Sequence, residues 1–351
     1  MPTRRRLIRM LGLLCIATLG GCTFAPAVST PPAATEPADA MPAATGTATL
    51  LPAVTDTPGT AVDLLHGTWE PRSAMRPARS EMPAAVLDRL IYVPGGFGGP
   101  TTFAVYDPAG DSWRDLTPLP EGRHHLMATA QGGKVYVFGG AREAFTATTT
   151  AWVYDPAANR WEDLAPLPEP RMSGAAVTLG DFIYLVGGVG VKSDEGATLL
   201  RYDPVGNTWT RLAKLTNMRE HTAAVVLSGR IFALGGRWDT AELNTVEIYD
   251  PAIDSWSPGP SMAVARAGHG AAVLHGQIVV AGGEVILAGN QTLDSVEVLD
   301  PATGAWAGAP ALPAPVHGVP AAGVDGTIFT LGGSSRAGGI ANNGQVFAYR
   351  P

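Results

Sequence analysis

Residues 171–188 read RMSGAAVTLGDFIYLVGG, and residues 219–236 read REHTAAVVLSGRIFALGG. The two stretches align along their whole length, from an arginine through two short apolar runs to a pair of glycines. Each continues to Tyr-Asp-Pro, at Tyr202 or Tyr249, and then to a tryptophan, Trp209 or Trp256. The apolar runs have the length and the β-branched composition of strands, and they lack helical periodicity. The stretch therefore predicts four short strands per unit and an all-β fold.

The same unit recurs along most of the chain. Six tryptophans each precede a pair of glycines by one constant interval; the pairs begin at Gly95, Gly139, Gly187, Gly235, Gly282 and Gly332. A fixed period of this kind indicates one structural unit copied six times. The functional hypotheses come from the parts of the chain that do not follow this pattern. These parts are the segment before the repeats and the loops inside each copy.

The order of double glycine, Tyr-Asp-Pro, tryptophan and turn arginine resembles the Kelch family from about Thr68 to the C-terminus. The turn arginines are Arg79, Arg123, Arg171, Arg219 and Arg266, with Val316 in the sixth copy. The resemblance implies a six-bladed β-propeller with four-stranded blades around a central channel. Because these arginines recur in five copies, we expect them to be architectural, bridging blades or satisfying backbone carbonyls.

The two ends of the repeat region are incomplete in complementary ways. The last copy stops after its third strand and has no tryptophan, whereas Thr68–Pro71 supplies a tryptophan strand, with Trp69, and nothing before it. We expect Trp69 to pair beside Val346–Tyr349, so that the last blade is closed by the N-terminal strand and no sheet edge stays open. The propeller is predicted to span residues 66–351.

Residues 1–21 have the features of a lipoprotein signal peptide. Four arginines (Arg4, Arg5, Arg6 and Arg9) precede a short apolar core, and Leu19-Gly20-Gly21-Cys22 resembles the bacterial lipobox. The resemblance implies lipidation of Cys22 and an extracytoplasmic, lipid-anchored position in a bacterial cell envelope; the alternative is an ordinary secretory signal with an incidental cysteine. Residues 22–65, rich in Ala, Pro and Thr, are predicted to be a disordered tether.

The charge balance argues against nucleic acid as a partner. The net charge is −7 and becomes −11 once the four arginines of the signal peptide are removed. An acidic secreted domain without a basic stripe is a poor binder of nucleic acid. We therefore expect a protein or glycan ligand, and contact with the membrane through the lipid anchor only.

In Kelch propellers, ligands meet the face that bears the residues after the double glycine and after the turn arginine. The candidate ligand-binding set contains the non-repeated residues of those two groups: Arg142, Arg237, Trp238, Glu284 and Arg336. It also contains His125 and His221 at the channel mouth, which occupy equivalent positions in their copies and have a hydrogen-bonded scaffold role as the alternative. Scaffold requirements act on every copy, so non-repeated residues favour function. Arg237 and Trp238 are expected to be exposed, so that their replacement by alanine leaves folding nearly unchanged.

No cofactor or metal is predicted. His124, His125, His221 and His317 come from three copies and could converge at the channel mouth, but no short-spaced metal motif accompanies them. The favoured function is a binding module for a protein or a glycan. The alternative is a mutarotase-like isomerase, which the family resemblance implies and in which Glu81, Glu220 or Glu284 would act beside Arg237; a third is a structural spacer. No catalytic residue is assigned.

One prediction concerns the anchor. Replacement of Cys22 by serine removes the only thiol that a lipid can modify after signal cleavage, so the variant is expected in the soluble fraction. Fractionation of cells that express each form measures this, with the wild-type protein expected in the membrane fraction. Wild-type protein found wholly in the soluble fraction would end the hypothesis.

Overall fold

Thirty short strands make up nearly all the regular structure in the computed structural model, which describes residues 63–191, 194–239, 241–287 and 289–351. Two 3-10 turns, Glu143–Phe145 and Glu195–Ala197, are the helical elements of those ranges. No helix there combines the length and apolar character needed to cross a bilayer. The signal peptide, Cys22 and almost all of the predicted tether lie outside the described residues.

The first strand, β1 (Thr68–Arg72), is followed by three complete blades. Blade 1 contains β2 (Ala85–Leu87), β3 (Leu90–Pro94), β4 (Phe103–Asp107) and β5 (Ser112–Asp115). Blade 2 contains β6 (Met127–Gln131), β7 (Lys134–Phe138), β10 (Ala151–Asp155) and β11 (Arg160–Asp163), with the ribbon β8 (Ala141–Arg142) and β9 (Thr146–Ala147) between its second and third strands. Blade 3 contains β12 (Ala175–Leu179), β13 (Phe182–Val186), β14 (Leu199–Asp203) and β15 (Thr208–Leu212).

The remaining blades repeat the arrangement. Blade 4 contains β16 (Ala223–Leu227), β17 (Arg230–Leu234), β20 (Val246–Asp250) and β21 (Ser255–Gly259), with the ribbon β18 (Arg237–Trp238) and β19 (Ala241–Glu242). Blade 5 contains β22 (Gly270–Leu274), β23 (Gln277–Ala281), β26 (Val296–Asp300) and β27 (Ala305–Ala309), with the ribbon β24 (Glu284–Val285) and β25 (Gln291–Thr292). Blade 6 contains β28 (Ala321–Val324), β29 (Thr327–Leu331) and β30 (Val346–Arg350).

The first strands of neighbouring blades lie side by side in a closed circle around the channel. Because every blade is an antiparallel meander, its two tight hairpins lie at one end of the propeller. The long loops between second and third strands, together with the links between blades, lie at the other. We call these the hairpin end and the loop end. All seven residues of the predicted binding set belong to the loop end.

The N-terminal strand closes blade 6, as the sequence predicts. It pairs antiparallel with β30, from Thr68 opposite Arg350 to Arg72 opposite Val346. The rings of Trp69 and Tyr349 contact each other with centroids 4.9 Å apart. Leu64, which the sequence analysis placed in the tether, is buried in the same apolar cluster, so the packed domain begins slightly earlier than residue 66.

The core consists of six apolar clusters, one between each pair of neighbouring blades. The repeated tryptophans join the blades at the outer edge, because each indole donates to a carbonyl just beyond the outer strand of the preceding blade, at 2.8–3.0 Å. These contacts explain why tryptophan is repeated: the ring fills the gap and its N–H has a buried partner.

The turn arginines are architectural, as expected. All five are fully buried, and four of them, Arg123 being the exception, donate to the carbonyl of the first glycine of their own blade at 2.7–2.8 Å. The backbone carbonyl at each of these positions, Val316 included, accepts from the second glycine of the preceding blade. A Cβ at Gly139 would lie 2.2 Å from the Arg171 carbonyl, which explains why glycine is needed there.

Closure of blade 6 by β1 generates a stability prediction. A chain that begins at Ala74 lacks the five residue pairs of β1 and the Trp69 side chain. Loss of a packed tryptophan alone costs about 3–5 kcal/mol, so we expect the melting temperature to fall by on the order of 10 °C. Thermal unfolding followed by circular dichroism measures this, with a chain that begins at Asp63 as the matched control. Equal melting temperatures would contradict the closure.

Candidate functional site

A ring of six backbone hydrogen bonds closes the channel at the loop end. Its members stand two positions after each turn arginine or its Val316 equivalent: Glu81, His125, Ser173, His221, Gly268 and Gly318. The N–H of each donates to the carbonyl of the member before it, at 2.7–3.0 Å, and Glu81 donates to Gly318 to complete the circle. All six adopt φ between 47° and 61°. In this left-handed conformation, the side chains of Glu81, His125 and His221 converge on one centre.

Three of these side chains meet. The distance between His125 Nε2 and His221 Nε2 is 3.0 Å, and Glu81 Oε2 lies 3.5 Å from the former and 3.8 Å from the latter. The three residues enter blades 1, 2 and 4, so the contact spans the channel. Glycine at position 318 leaves the space for this, since a Cβ there would lie 2.6 Å from Glu81 Oε1.

The side of His125 away from the centre is fixed by His124. His124 Nε2 donates to the Arg142 carbonyl at 3.1 Å, and its Nδ1 lies 2.6 Å from His125 Nδ1. A neutral His124 that donates through Nε2 accepts through Nδ1, so His125 donates from Nδ1 and keeps a lone pair on Nε2. Phe97 stacks on His124 with centroids 4.1 Å apart, which orients the pair.

His221 is held by a carboxylate and an arginine. Its Nδ1 contacts Glu220, whose other oxygen accepts from Arg237 Nε at 2.5 Å. Arg237 Nη1 also donates to Glu284, in the next blade, at 2.5 Å. Arg237 is therefore committed to two carboxylates and half-buried, which corrects the expectation that it is exposed.

The remaining oxygen of Glu81 faces His317. His317 Nδ1 lies 3.3 Å from Glu81 Oε1 and 3.1 Å from Glu284 Oε2, and its Nε2 donates to the Arg336 carbonyl at 2.8 Å. Glu284 is buried, and its other hydrogen bond comes from the Gly338 N–H. We name Glu81, His124, His125, Glu220, His221, Arg237, Glu284 and His317 together the central cluster.

Burial and charge divide the imidazoles of the central cluster into two groups. Burial lowers the pKa of His124 and lowers that of His125 to about 3, so both are neutral. Burial also acts to lower the pKa of His221 and His317, but Glu220 and Glu81 respectively outweigh it, and both pKa values are raised. Burial would raise the pKa of Glu81, yet the surrounding imidazoles hold it well below its usual range. Shifted groups that converge in this way are typical of functional sites.

The other predicted site residues lie outside this cluster. Arg142 is exposed and pairs with Glu121 Oε1 at 2.7 Å. Arg336 is exposed, and no side-chain partner occurs for it among the described residues. Trp238 is half-buried, with its ring against Gly196 of blade 3, which corrects the expectation that it is exposed. The binding roles of all seven residues remain predictions.

Below the ring, the channel forms a cavity of about 150 Å³ that Glu81, His125 and His221 line together with the start of each first strand. His269 also lines it and is buried. Burial, followed by the charge of Arg266, lowers the pKa of His269 to about 3.

An aromatic residue that the sequence analysis missed lies above the cluster. Phe145, in the loop of blade 2, is 57% exposed, and its ring centroid lies 5.0 Å from that of His124 and 5.8 Å from that of Phe97. Ala144 and Phe145 both adopt left-handed φ values, 61° and 56°. The signal in the sequence is that this phenylalanine has no counterpart in the other copies.

Comparisons with known proteins agree with this architecture. Residues 91–300 match the model of the Attractin/LZTR1 beta-propeller. A solved structure of YjhT superposes with a TM-score of 0.68 at 17% identity, covering 79% of this chain and 96% of that one; this likeness concerns the fold alone. No curated protein matches the chain. The all-β, six-bladed, Kelch-type fold is confirmed.

His269 generates a prediction of acid sensitivity. In the unfolded chain, His269 binds a proton below about pH 6.5, whereas in the folded chain it does so only near pH 3. The contribution of neutral His269 to the free energy of unfolding is therefore fully present above pH 6.5 and is lost as the pH falls below that value. Between pH 7.5 and 5.0, this costs about 2 kcal/mol. We expect His269→Gln to lose that much less than wild type over the same interval, measured by urea unfolding at both pH values. Equal losses would show that His269 does not contribute.

Proposed function

Because this chain belongs to the Attractin/LZTR1 beta-propeller family, we propose that it is a binding module whose protein partner docks on the loop end. The observation that carries the proposal is Phe145. Its left-handed backbone is strained, and its exposed aromatic ring leaves apolar area in water, so both features are unfavourable for stability. Backbone strain of this kind is concentrated at functional sites. Aromatic and arginine side chains are the usual anchors of protein interfaces.

Other loop residues support the same surface. Val191, Leu287 and Ile340 are each at least half exposed and belong to the loops of blades 3, 5 and 6. Arg142 and Arg336 are exposed among them. Together with Phe145, they give the loop end a mixed surface of apolar tips and cations around the channel mouth, which suits a broad protein surface better than a small molecule.

A glycan ligand and an isomerase activity are less well supported. Gly196 covers part of the Trp238 ring, which reduces the area for stacking of a sugar, and Arg237 already donates to Glu220 and Glu284. One observation favours the mutarotase-like alternative: Glu81 and His221 form an acid–base pair that borders the channel cavity. Turnover of a sugar anomer that Glu81→Gln abolishes would establish it in place of the binding module.

The proposal includes a place of action. We propose that the propeller works outside the cytoplasm of a bacterial cell, held to a membrane through a lipid on Cys22. The support is in the sequence: the arginine-rich start, the short apolar core and the lipobox-like Leu19–Cys22. Anchoring of this kind would hold the binding surface near other envelope proteins.

Photo-crosslinking tests the docking surface. A benzoylphenylalanine at position 145 is expected to give a discrete cross-linked protein in the cells that make this chain. The matched control places the same residue at Val205, which is 94% exposed and lies in a hairpin at the opposite end. Adducts from position 205 and none from 145 would refute the assignment.

A quantitative prediction follows once the cross-linked partner is purified. Phe145→Ala is expected to weaken its binding by at least about 10-fold, as for an interface anchor, whereas Val205→Ala leaves it unchanged. Isothermal titration calorimetry measures both. Both residues are exposed, so the melting temperatures of the two variants should match wild type, and an unchanged affinity for Phe145→Ala would contradict the proposal.

A further inference from the structure

We propose that Glu81, His125 and His221 form a binding site for one divalent transition-metal ion of the zinc type, with its open coordination position facing the channel cavity. The proposal is independent of the protein-docking surface. It also differs from the sequence-based expectation of no metal, which rested on the absence of a short-spaced motif. The ring brings together ligands that the sequence separates widely.

The distances fit a tetrahedral ion. With metal–ligand bonds of about 2.0–2.1 Å, the ligand atoms of a tetrahedral zinc site lie roughly 3.3 Å apart. The three observed separations, 3.0, 3.5 and 3.8 Å, bracket that value. Two imidazoles and one carboxylate are a ligand set that zinc accepts when a water or substrate takes the fourth position.

The partners that orient both imidazoles contact Nδ1, although Arg237 Nη2 also approaches His221 Nε2 at 3.3 Å. His125 uses Nδ1 on His124 and His221 uses Nδ1 on Glu220, so both present Nε2 to the centre. Two nitrogen lone pairs that face each other at 3.0 Å need a positive charge between them. A proton or a metal ion satisfies this need. The carboxylate of Glu81 on the third side favours a divalent metal ion over a proton, because the ion carries the larger positive charge.

Each ligand also has an outer partner that fixes its orientation. His124 holds His125, Glu220 holds His221, and His317 holds the second oxygen of Glu81. Outer partners of this kind accompany metal-binding histidines almost always.

The charge of the central cluster suits a divalent cation. Glu81, Glu220 and Glu284 carry three negative charges, and Arg237 carries one positive charge. His317 donates from Nε2 to the Arg336 carbonyl and faces two carboxylates with Nδ1, so it is a second cation, and the cluster has a charge of −1 when the two ligand imidazoles are neutral. Arg237 lies close to His221, but it is neutralised by hydrogen bonds to Glu220 and Glu284. A bound cation offsets the remaining negative charge without breaking those pairs.

The cavity determines what the metal can do. All three ligands border it, so a bound ion would expose its fourth position to a space of about 150 Å³. That space accommodates a few waters or a small oxygen-bearing ligand. The first-strand residues around it are largely apolar or small, which confines water to the metal.

Zinc titration of the purified full-length chain, stripped with a chelator, tests the site. We expect one ion per chain by calorimetry, a higher melting temperature with zinc, and a visible absorption band typical of tetrahedral cobalt when Co²⁺ replaces zinc. Glu81→Gln and His221→Ala are expected to weaken zinc binding by at least about 100-fold. Glu220→Gln, which changes only an outer partner, should weaken it by about 10–100-fold.

The control is His275→Ala, which removes an exposed histidine from a hairpin. It should leave stoichiometry, affinity and the cobalt band unchanged. Circular dichroism confirms that each variant is folded; if His221→Ala is not, Glu81→Gln decides. Absence of saturable binding, or affinity in folded Glu81→Gln equal to wild type, would overturn the proposal and leave a proton between the two imidazoles. Loss of affinity in His275→Ala alone would assign the ion to the surface and overturn it equally.

Discussion

The closed ring of six backbone hydrogen bonds is the constraint on which this molecule depends. Each member donates to the one before it from a left-handed conformation, and all six blades contribute one member to the circle. The ring therefore ties the curvature of the propeller to the geometry of one small point on its axis. A blade of different width would open the ring and separate the side chains it holds together.

The ring also explains how a symmetric scaffold supports an asymmetric site. Its backbone is the same at every position, but its side chains run Glu, His, Ser, His, Gly and Gly. The small residues on one side leave room for Glu81 and His317, as the short distance from a Cβ at Gly318 to Glu81 shows. Burying carboxylates, an arginine and imidazoles this close together is costly unless every charge has a partner. Arg237 supplies such a partner to Glu220 and Glu284 across two blades.

The repeated residues were sufficient to predict the fold. The spacing of the tryptophans and glycines requires six copies, and the incomplete copies at the two ends require closure by Trp69. The architectural role of the turn arginines also followed from repetition, because a residue required in every blade serves the blade. Even the end of the propeller that bears the candidate residues was predictable from the family resemblance.

The details of the site were not predictable, and the reasons are physical. His125 and His221 lie in different blades, so only the radius of the ring decides whether they touch. Arg237 seemed free because its partner Glu284 belongs to the next copy, and Trp238 seemed exposed because Gly196 of the preceding copy covers it. The burial of these side chains depends on contacts between neighbouring blades. Aligning the sequences of the copies does not reveal such contacts.

The pairing of Thr68 with Arg350 makes the two ends of the propeller chain neighbours at the hairpin end, away from the channel mouth. Along its path the polypeptide is thus almost a circle, with the joint in the outer half of one blade. Tension applied between these two residues would fall on a single residue pair at a time, so β1 would peel away like a zipper. Tension applied across the face of the propeller would instead load several strands in parallel. The same fold is therefore mechanically weak along one direction and strong along others.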